Sequence, residues 1–330
     1  MDNQERCLRF GAALIASALV LRLGGSGFFR TVAETAAKPN IASLLIYLET
    51  GRIVRFSQSS GDVPAFALES PEPDFAEAKP LPSFSGEDLE GISVKYNTSL
   101  RPDLEALIRE PLQWDLTGEE PTVLILHTHT TESYTRSPGE HYEESSPYRT
   151  LDERYNMLSI GDRLAELLEA GGIRVIHDRT LHDYPSYSGS YNHARKSSES
   201  WLAEHPSIRL ILDLHRDASG DNSSQMQTHS LVSGSSTARL MLVVGTGGSG
   251  LSHPKWEENL SLALKLHTQL ERIAPGIMRY VNLRDQRFNQ DLSPGAMLVE
   301  VGAAGDSHEE ALRAAEILAR GILDLAKGSA

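Results

Sequence analysis

The chain has 330 residues, enough for one large domain or two small ones with an ordinary buried core. Its formal charge is -14, from 31 basic and 45 acidic residues, and no block of Lys or Arg breaks it, which argues against nucleic-acid phosphates as a partner. The one cysteine, Cys7, leaves everything downstream without a thiol, so an internal disulfide and a cysteine-based zinc site are excluded and any metal must use His and carboxylates.

In chain order, Phe10 to Leu21 is a run of twelve uncharged residues with Arg6 and Arg9 before it and Arg22 after it. A basic flank and an apolar stretch read as an export signal or membrane anchor with its basic end in the cytoplasm. No Ala-x-Ala cleavage site stands out, so an uncleaved anchor over 1–30 is expected. A second apolar cluster, Ile41 to Val54, is too short to span a bilayer and reads as a helix near the membrane. From Gln58 to about Gly91, Ser, Pro, Glu, Asp and Gly dominate, so residues 31–91 read as a juxtamembrane segment and polar linker. The remaining residues, 92–330, form the expected folded domain.

That domain opens with a short alternating strand, Ile92 to Tyr96, and a helix from Arg101 to Ile108 with Pro102 suited to its first position. From Pro121 onward the pattern alternates between strand and helix. Strands are predicted at Val123–Leu126, Ile173–Ile176, Ile208–Leu214, Leu240–Val244, Gly276–Val281 and Ala296–Val301. Helices are predicted at Asn156–Ala170, stopped by Gly171 and Gly172, and at Tyr191–His205, Glu257–Ile273 and Ser307–Ala326. The expected fold class is therefore α/β, a single mainly parallel sheet covered by helices.

Three apolar runs end in residues with metal or proton chemistry. Val123-Leu-Ile-Leu leads into His127-Thr-His129-Thr-Thr-Glu132, a later run carries Asp213-Leu-His215, and a third is Leu298-Val-Glu300. His129, Glu132 and His215 supply the three protein ligands that a catalytic zinc commonly takes, and Glu300 supplies a free carboxylate to move protons. Residues three apart on a strand face opposite ways, so His129 and Glu132 converge only if the chain turns after the strand. His127, two residues before His129, should share its face and is either the alternate ligand or a residue that holds it. Asp213 is placed to orient an imidazole, and Arg216 and Asp217 to position a substrate. Leu242 to Gly250 matches the dinucleotide pattern G-x-G-x-x-G, but Ser252-His-Pro254 follows it in place of a helix, so a phosphate would lack its helix N-terminus. No G-x-S-x-G elbow occurs, which lowers a serine hydrolase reading.

The ordered set His127-Thr-His-Thr-Thr-Glu-Ser-Tyr134, Asp213-Leu-His-Arg-Asp-Ala218, His253-Pro-Lys-Trp-Glu-Glu-Asn-Leu260, Arg287-Phe-Asn-Gln-Asp-Leu-Ser-Pro294 and Leu298-Val-Glu-Val-Gly302 resembles the stage II sporulation protein P family. These are membrane-anchored cell-wall hydrolases of endospore formers, related to zinc N-acetylmuramoyl-L-alanine amidases. The resemblance implies a zinc amidase/carboxypeptidase-like fold, Zn2+ as cofactor, and cleavage of the amide between muramic acid and L-alanine in peptidoglycan, with endopeptidase action on cross-links a possible addition, during forespore engulfment. It also implies a single-pass position in the cell membrane with the catalytic domain outside the cytoplasm, and a lytic transglycosylase and a membrane protein of the engulfment machinery as partners. Amidases of the wider group carry the ligating Glu near the start of the helix after the first His, which makes Asp152 and Glu153 alternatives to Glu132. By their place in the family motifs, Asn282, Arg284, Asn289 and Gln290 are expected substrate contacts. Two rival readings share these residues: a zinc carboxypeptidase acting on wall peptides, and a wall-binding scaffold without catalysis.

Overall fold

The computed structural model describes residues 82–221 and 224–328. The anchor expected at 1–30, the apolar cluster at 41–54 and the linker up to residue 81 lie outside the described residues. Among the described residues, no helix is long and apolar enough to cross a membrane. In the last part of the stretch read as linker, Gly86–Gly91 forms a 3-10 turn, and Phe84 and Leu89 lie against the core.

The elements run β1 (Val94–Asn97), α1 (Leu104–Arg109), β2 (Val123–Leu126), the small pair β3 (Glu144–Ser146) and β4 (Arg149–Thr150), α2 (Met157–Ala170), β5 (Val175–His177), α3 (Ser190–Glu204) and β6 (Leu210–Asp217). Two further small pairs follow, β7 (Gly220–Asp221) with β8 (Ser224–Gln225) and β9 (Ser230–Val232) with β10 (Ser235–Thr237). The chain then forms β11 (Leu240–Gly245), α4 (Trp256–Ile273), β12 (Met278–Arg284), β13 (Gly295–Ala303) and α5 (His308–Asp324).

Seven strands make one sheet in the order β1-β12-β11-β13-β6-β2-β5. All neighbours are parallel except β11 and β13, so two parallel blocks meet back to back at that seam. The expected mainly parallel sheet covered by helices is therefore present. Its inner strands are buried along their length, as strands covered on both faces must be.

The helices start and stop where the sequence supplies partners for their end groups. Asn156 caps α2 by accepting from Leu158 N, and Gly172 beyond its end takes the left-handed φ of +87°. Ser307 and Glu310 close a capping box on α5. At α1 the sequence expectation needs correction: Asp103 is the cap, accepting from Glu105 N and Ala106 N, so Pro102 stands before the helix and not at its first position.

Strand alternation divides the sheet between two environments. One face, with Leu212, Leu214, Leu240, Leu242, Val299 and Val301, packs into the main core with α2, α4 and α5 residues such as Leu164, Leu266 and Leu318. On the other face, α3 covers only part: Ala194 and Trp201 pack on Leu124, Leu126, Ile211 and Ala296. Beyond α3, Met241, Val243 and Leu298 form a separate apolar strip flanked by Tyr280 and Phe288. This strip is the floor of a cavity.

Candidate active site

The cavity holds about 530 Å³, with Met241, Val243 and Leu298 on its floor. His129, Glu132, His215, Arg216, Asp217, Asn282, Arg284 and Glu300 all line it. Sequence register explains how remote residues meet. Glu300 on β13 is paired directly with His215 on β6, and Met241 on β11 is paired with Glu300 from the other side. Strand β6 runs to Asp217, past its predicted end, which makes His215 a residue of the rigid sheet.

His129 and Glu132 reach the same place by the turn that their spacing requires. Strand β2 ends at Leu126, and Glu132 N donates to His129 O (3.1 Å). Asp213 ties this turn to β6, its two oxygens accepting from Thr128 N (2.7 Å) and Thr128 Oγ1 (2.6 Å). Because the strand has already ended, His127 does not share the face of His129. It lies buried below the turn, 3.2 Å from Leu214 O through Nδ1 and 2.8 Å from His177 Nε2 through Nε2, outside the cavity lining. Its expected part as alternate ligand is not what this geometry provides.

Glu132 is the most firmly held member. Arg149 Nη2 donates to Oε1 (3.1 Å), Arg216 N donates to Oε2 (3.2 Å), and His215 Nδ1 stands 3.6 Å from Oε2. Burial alone would raise its pKa, but the Arg216 charge and then His215 outweigh burial and hold it well below the usual carboxylate range. His215 goes the other way. Burial would lower it, yet the neighbouring Asp213 and Glu132 carboxylates raise it well above an ordinary histidine. His215 Nε2 is 3.0 Å from Asp213 Oδ1 but out of line for a hydrogen bond, and it is buried without a hydrogen-bond partner. Burial pushes His129 down to about 4. Tyr187 stacks on its ring at 4.4 Å with the hydroxyl 3.0 Å from Nε2, which leaves Nδ1 buried and without a partner.

Glu300 is partly exposed as a residue, yet its Oε2 is sealed from water and has no hydrogen-bond partner. Burial raises its pKa to about 8, with Glu132 and Asp217 adding to the rise against the pull of His215 and Arg216. A carboxyl that exchanges protons near neutrality is what general acid–base catalysis needs.

The donor chemistry fits zinc: two imidazoles, of which His129 keeps a buried nitrogen without a partner, and one ionised carboxylate on the same cavity wall. The His129 and His215 ring centres are 5.2 Å apart, and Glu132 is held beside them by Arg149 and Arg216. Among the described residues, the His and carboxylate group whose ligand atoms all fall within 4.8 Å of one another is His229, Asp306 and Glu310. Its acids are occupied by the start of α5. Asp306 accepts from Thr228 N, Thr228 Oγ1 and Ala303 N, and Glu310 accepts from Ser307 and Ser236.

The other candidates from the sequence divide. Asp217 accepts from Arg279 Nη1 (2.8 Å) at the cavity rim, and Arg216 anchors the wall by donating to Ser133 O and Tyr148 O. Asn289 and Gln290 do not line the cavity, because backbone groups claim their side chains. Gln290 accepts from Gly245 N and donates to Val243 O, bracing β11, while Asn289 donates to Tyr191 O. Asp152 and Glu153 pair with Arg154 and Arg179 at the surface and do not line the cavity. Sequence reading missed Tyr187, Tyr191, Phe288, Arg149 and Lys95, since an aromatic or a lone cation in a loop, an edge strand or the first turn of a helix carries no spacing signal. Tyr191 walls the site, 5.7 Å from the His129 ring and 6.4 Å from that of His215. The glycine-rich stretch is a loop: Gly247 and Gly250 take φ of +74° and +98°, and α4 begins only at Trp256, as its lack of an immediate helix foretold.

A family model described as "Stage II sporulation protein P (SpoIIP)" matches residues 68–323. Stage II sporulation protein P of Bacillus subtilis (strain 168) is 31% identical over 216 residues, covering 62% of this chain and 50% of that protein. The chain thus spans about half the length of the curated relative it matches. Two solved structures align in part. The N-acetylmuramoyl-L-alanine amidase AmiC2 of Nostoc punctiforme is 15% identical over 62% of this chain and 97% of its own, with a TM-score of 0.36. The apo N-acetylmuramyl-L-alanine amidase Ami1 of Mycobacterium abscessus is 12% identical over 62% of this chain and 97% of its own, with a TM-score of 0.37.

Proposed function

The chain belongs to the stage II sporulation protein P family, and on that footing we propose that it is a zinc-dependent peptidoglycan hydrolase of sporulation, cleaving the amide between N-acetylmuramic acid and L-alanine. The observation that carries this reading is the single cavity wall on which His129, Glu132, His215 and Glu300 meet, with His129 Nδ1 and Glu300 Oε2 buried and without hydrogen-bond partners. Buried polar atoms are costly to leave unpaired, so two of them on residues of one cavity wall favour a place kept for a ligand and a reaction.

His129, Glu132 and His215 would hold the metal. Bound there, zinc would supply a water of near-neutral pKa and polarise the amide carbonyl. Glu300 takes a proton from the attacking water and passes it to the leaving amine nitrogen, as befits a carboxyl poised near neutrality. Arg149 and Arg216 keep Glu132 ionised and in place, and Asp213 fixes the turn that carries His129. Tyr187 and Tyr191 close one side of the site and limit access of bulk water.

The proposal extends to the setting: a chain held at the membrane by its N-terminal apolar segment, with its catalytic domain outside the cytoplasm. A lytic transglycosylase and a membrane protein of the engulfment machinery are its proposed partners. Mass spectrometry of the products released from purified sacculi tests the bond cut. An amidase frees intact stem peptides from the glycan. Loss of single terminal residues would make it a carboxypeptidase, and no release with no bound zinc would make it a scaffold.

A further inference from the structure

Three arginines that line or flank the catalytic end of the cavity are already spoken for. Arg216 and Arg149 face Glu132, Arg149 also holds Asp183 (2.5 Å), and Arg279 holds Asp217 (2.8 Å). Two cations that line the other end are different. Lys95 on β1 and Arg284 on β12 have no carboxylate within ion-pair distance among the described residues, in a chain whose formal charge is -14. Each instead rests near an aromatic ring: Lys95 Nζ lies 5.4 Å from the centre of Tyr280, and Arg284 Cζ lies 5.7 Å from that of Phe288. Such contacts hold a cation in place while leaving its charge available to an anion.

The two strands are paired in parallel, with Lys95 opposite Asn282 and Asn97 opposite Arg284, so Lys95 and Arg284 project from one face of neighbouring strands. Between them Asn282, itself 6% exposed, accepts from Asn97 Nδ2 (2.7 Å), and its own amide donor remains for a ligand. Two cations and an amide donor on one cavity wall match a carboxylate. The apolar strip of Met241, Val243 and Leu298 connects this end to His215 and Glu300.

We infer that Lys95, Arg284 and Asn282 form a subsite for a carboxylate of the wall peptide, several residues along the stem from the bond that is cut. This rests on the peptidoglycan hydrolase reading above and adds the part of the substrate that the cavity selects. The separation supports a remote carboxylate. Strand β12 lies three places from β6 in the sheet and β1 four, which at the spacing of paired strands is roughly 14 to 19 Å. An extended peptide advances ~3.4 Å per residue, so the subsite is about four or more residues from His215. A carboxypeptidase would need its carboxylate-reading cations one residue from the metal, where Arg149 and Arg216 are engaged by Glu132.

The test is binding, measured apart from cleavage. A fluorescent wall peptide of four or five residues with free carboxylates, and the same peptide with every carboxylate converted to the carboxamide, are titrated against the full chain and against Lys95→Ala/Arg284→Ala. Both side chains are exposed, so the replacement leaves the core intact. The wild-type chain is expected to bind the acid form at least ~10-fold more tightly, a preference typical of charge-assisted recognition, and the double variant to lose that preference. Equal binding of the two peptides by the wild type, or a preference that survives in the double variant, overturns the subsite. Release of stem peptides from sacculi by the same preparation separately reads the hydrolase proposal.

Discussion

Glu300 and Lys265 are both ionisable groups that the fold removes from water, and their surroundings decide what each does. Glu300 lies at the cavity with one oxygen that has no hydrogen-bond partner, which is the ground for its proposed part in proton transfer. Lys265 is 1% exposed within α4, and its Nζ donates to Leu107 O (2.9 Å) and Ser261 Oγ (2.7 Å), so it ties α1 to α4. Burial lowers the Lys265 pKa to about 8, with only Glu110 opposing, against an ordinary value of 10.5. The unfolded chain then binds this proton more tightly than the folded one. Stability from this group is therefore fully present above about pH 10.5 and lost as pH falls through about 8. Lys265→Met removes that dependence. Urea unfolding at a series of pH values should show the variant gaining on the wild type as pH drops from 10.5 to 7, by on the order of 3 kcal/mol. A constant difference across that window would show that Lys265 ionises as freely in the fold as outside it.

At the scale of elements, α2 packs closely against the residues beneath the His129 turn. Gly161 on α2 faces His127 and His177, and a Cβ there would collide with both imidazoles. His177 is in turn 3.0 Å from Asp162 Oδ1, so neither ring is free to move aside without breaking a contact. Gly161→Ala, which ordinarily favours a helix by about 1 kcal/mol, should here destabilise the chain by about 1–3 kcal/mol through overpacking. Thermal unfolding checks this, and an unchanged or raised midpoint would mean that the imidazoles yield. The same region shows what periodicity can and cannot disclose. Apolar runs located every long strand and helix of the domain to within a few residues, because burial on both faces leaves a continuous signal. The end of β2 at Leu126 was legible, but the path of the turn beyond it was not, and that turn takes His127 away from the face of His129. Likewise β12 continues to Arg284, which placed Asn282 and Arg284 on the sheet instead of in a loop.

Across the whole molecule, the site exists because two parallel blocks of strands join at an antiparallel seam. Parallel pairing sets Glu300 on β13 beside His215 on β6, and the seam to β11 puts the cations of β12 and β1 on the same cavity. Pairing of this kind is non-local, so no window of sequence announces it. Residue types at strand ends named His129, Glu132, His215 and Glu300, whereas Tyr191 entered only because the first turn of α3 lies at the cavity, and Tyr187 only by stacking on His129. Asn289 and Gln290 were legible as polar but not as bracing residues, because their partners are backbone groups that carry no residue signature.

In the proposed mechanism one cavity holds a zinc on His129, Glu132 and His215, with Glu300 moving protons beside it. Zinc content and stem-peptide release from sacculi, measured together on the wild type, Glu300→Gln and His215→Ala, put this to the test. Glu300→Gln is expected to keep about one zinc per chain while losing on the order of 100- to 10,000-fold in turnover, and His215→Ala to lose both. Wild-type turnover in Glu300→Gln, or full zinc in His215→Ala, would contradict it.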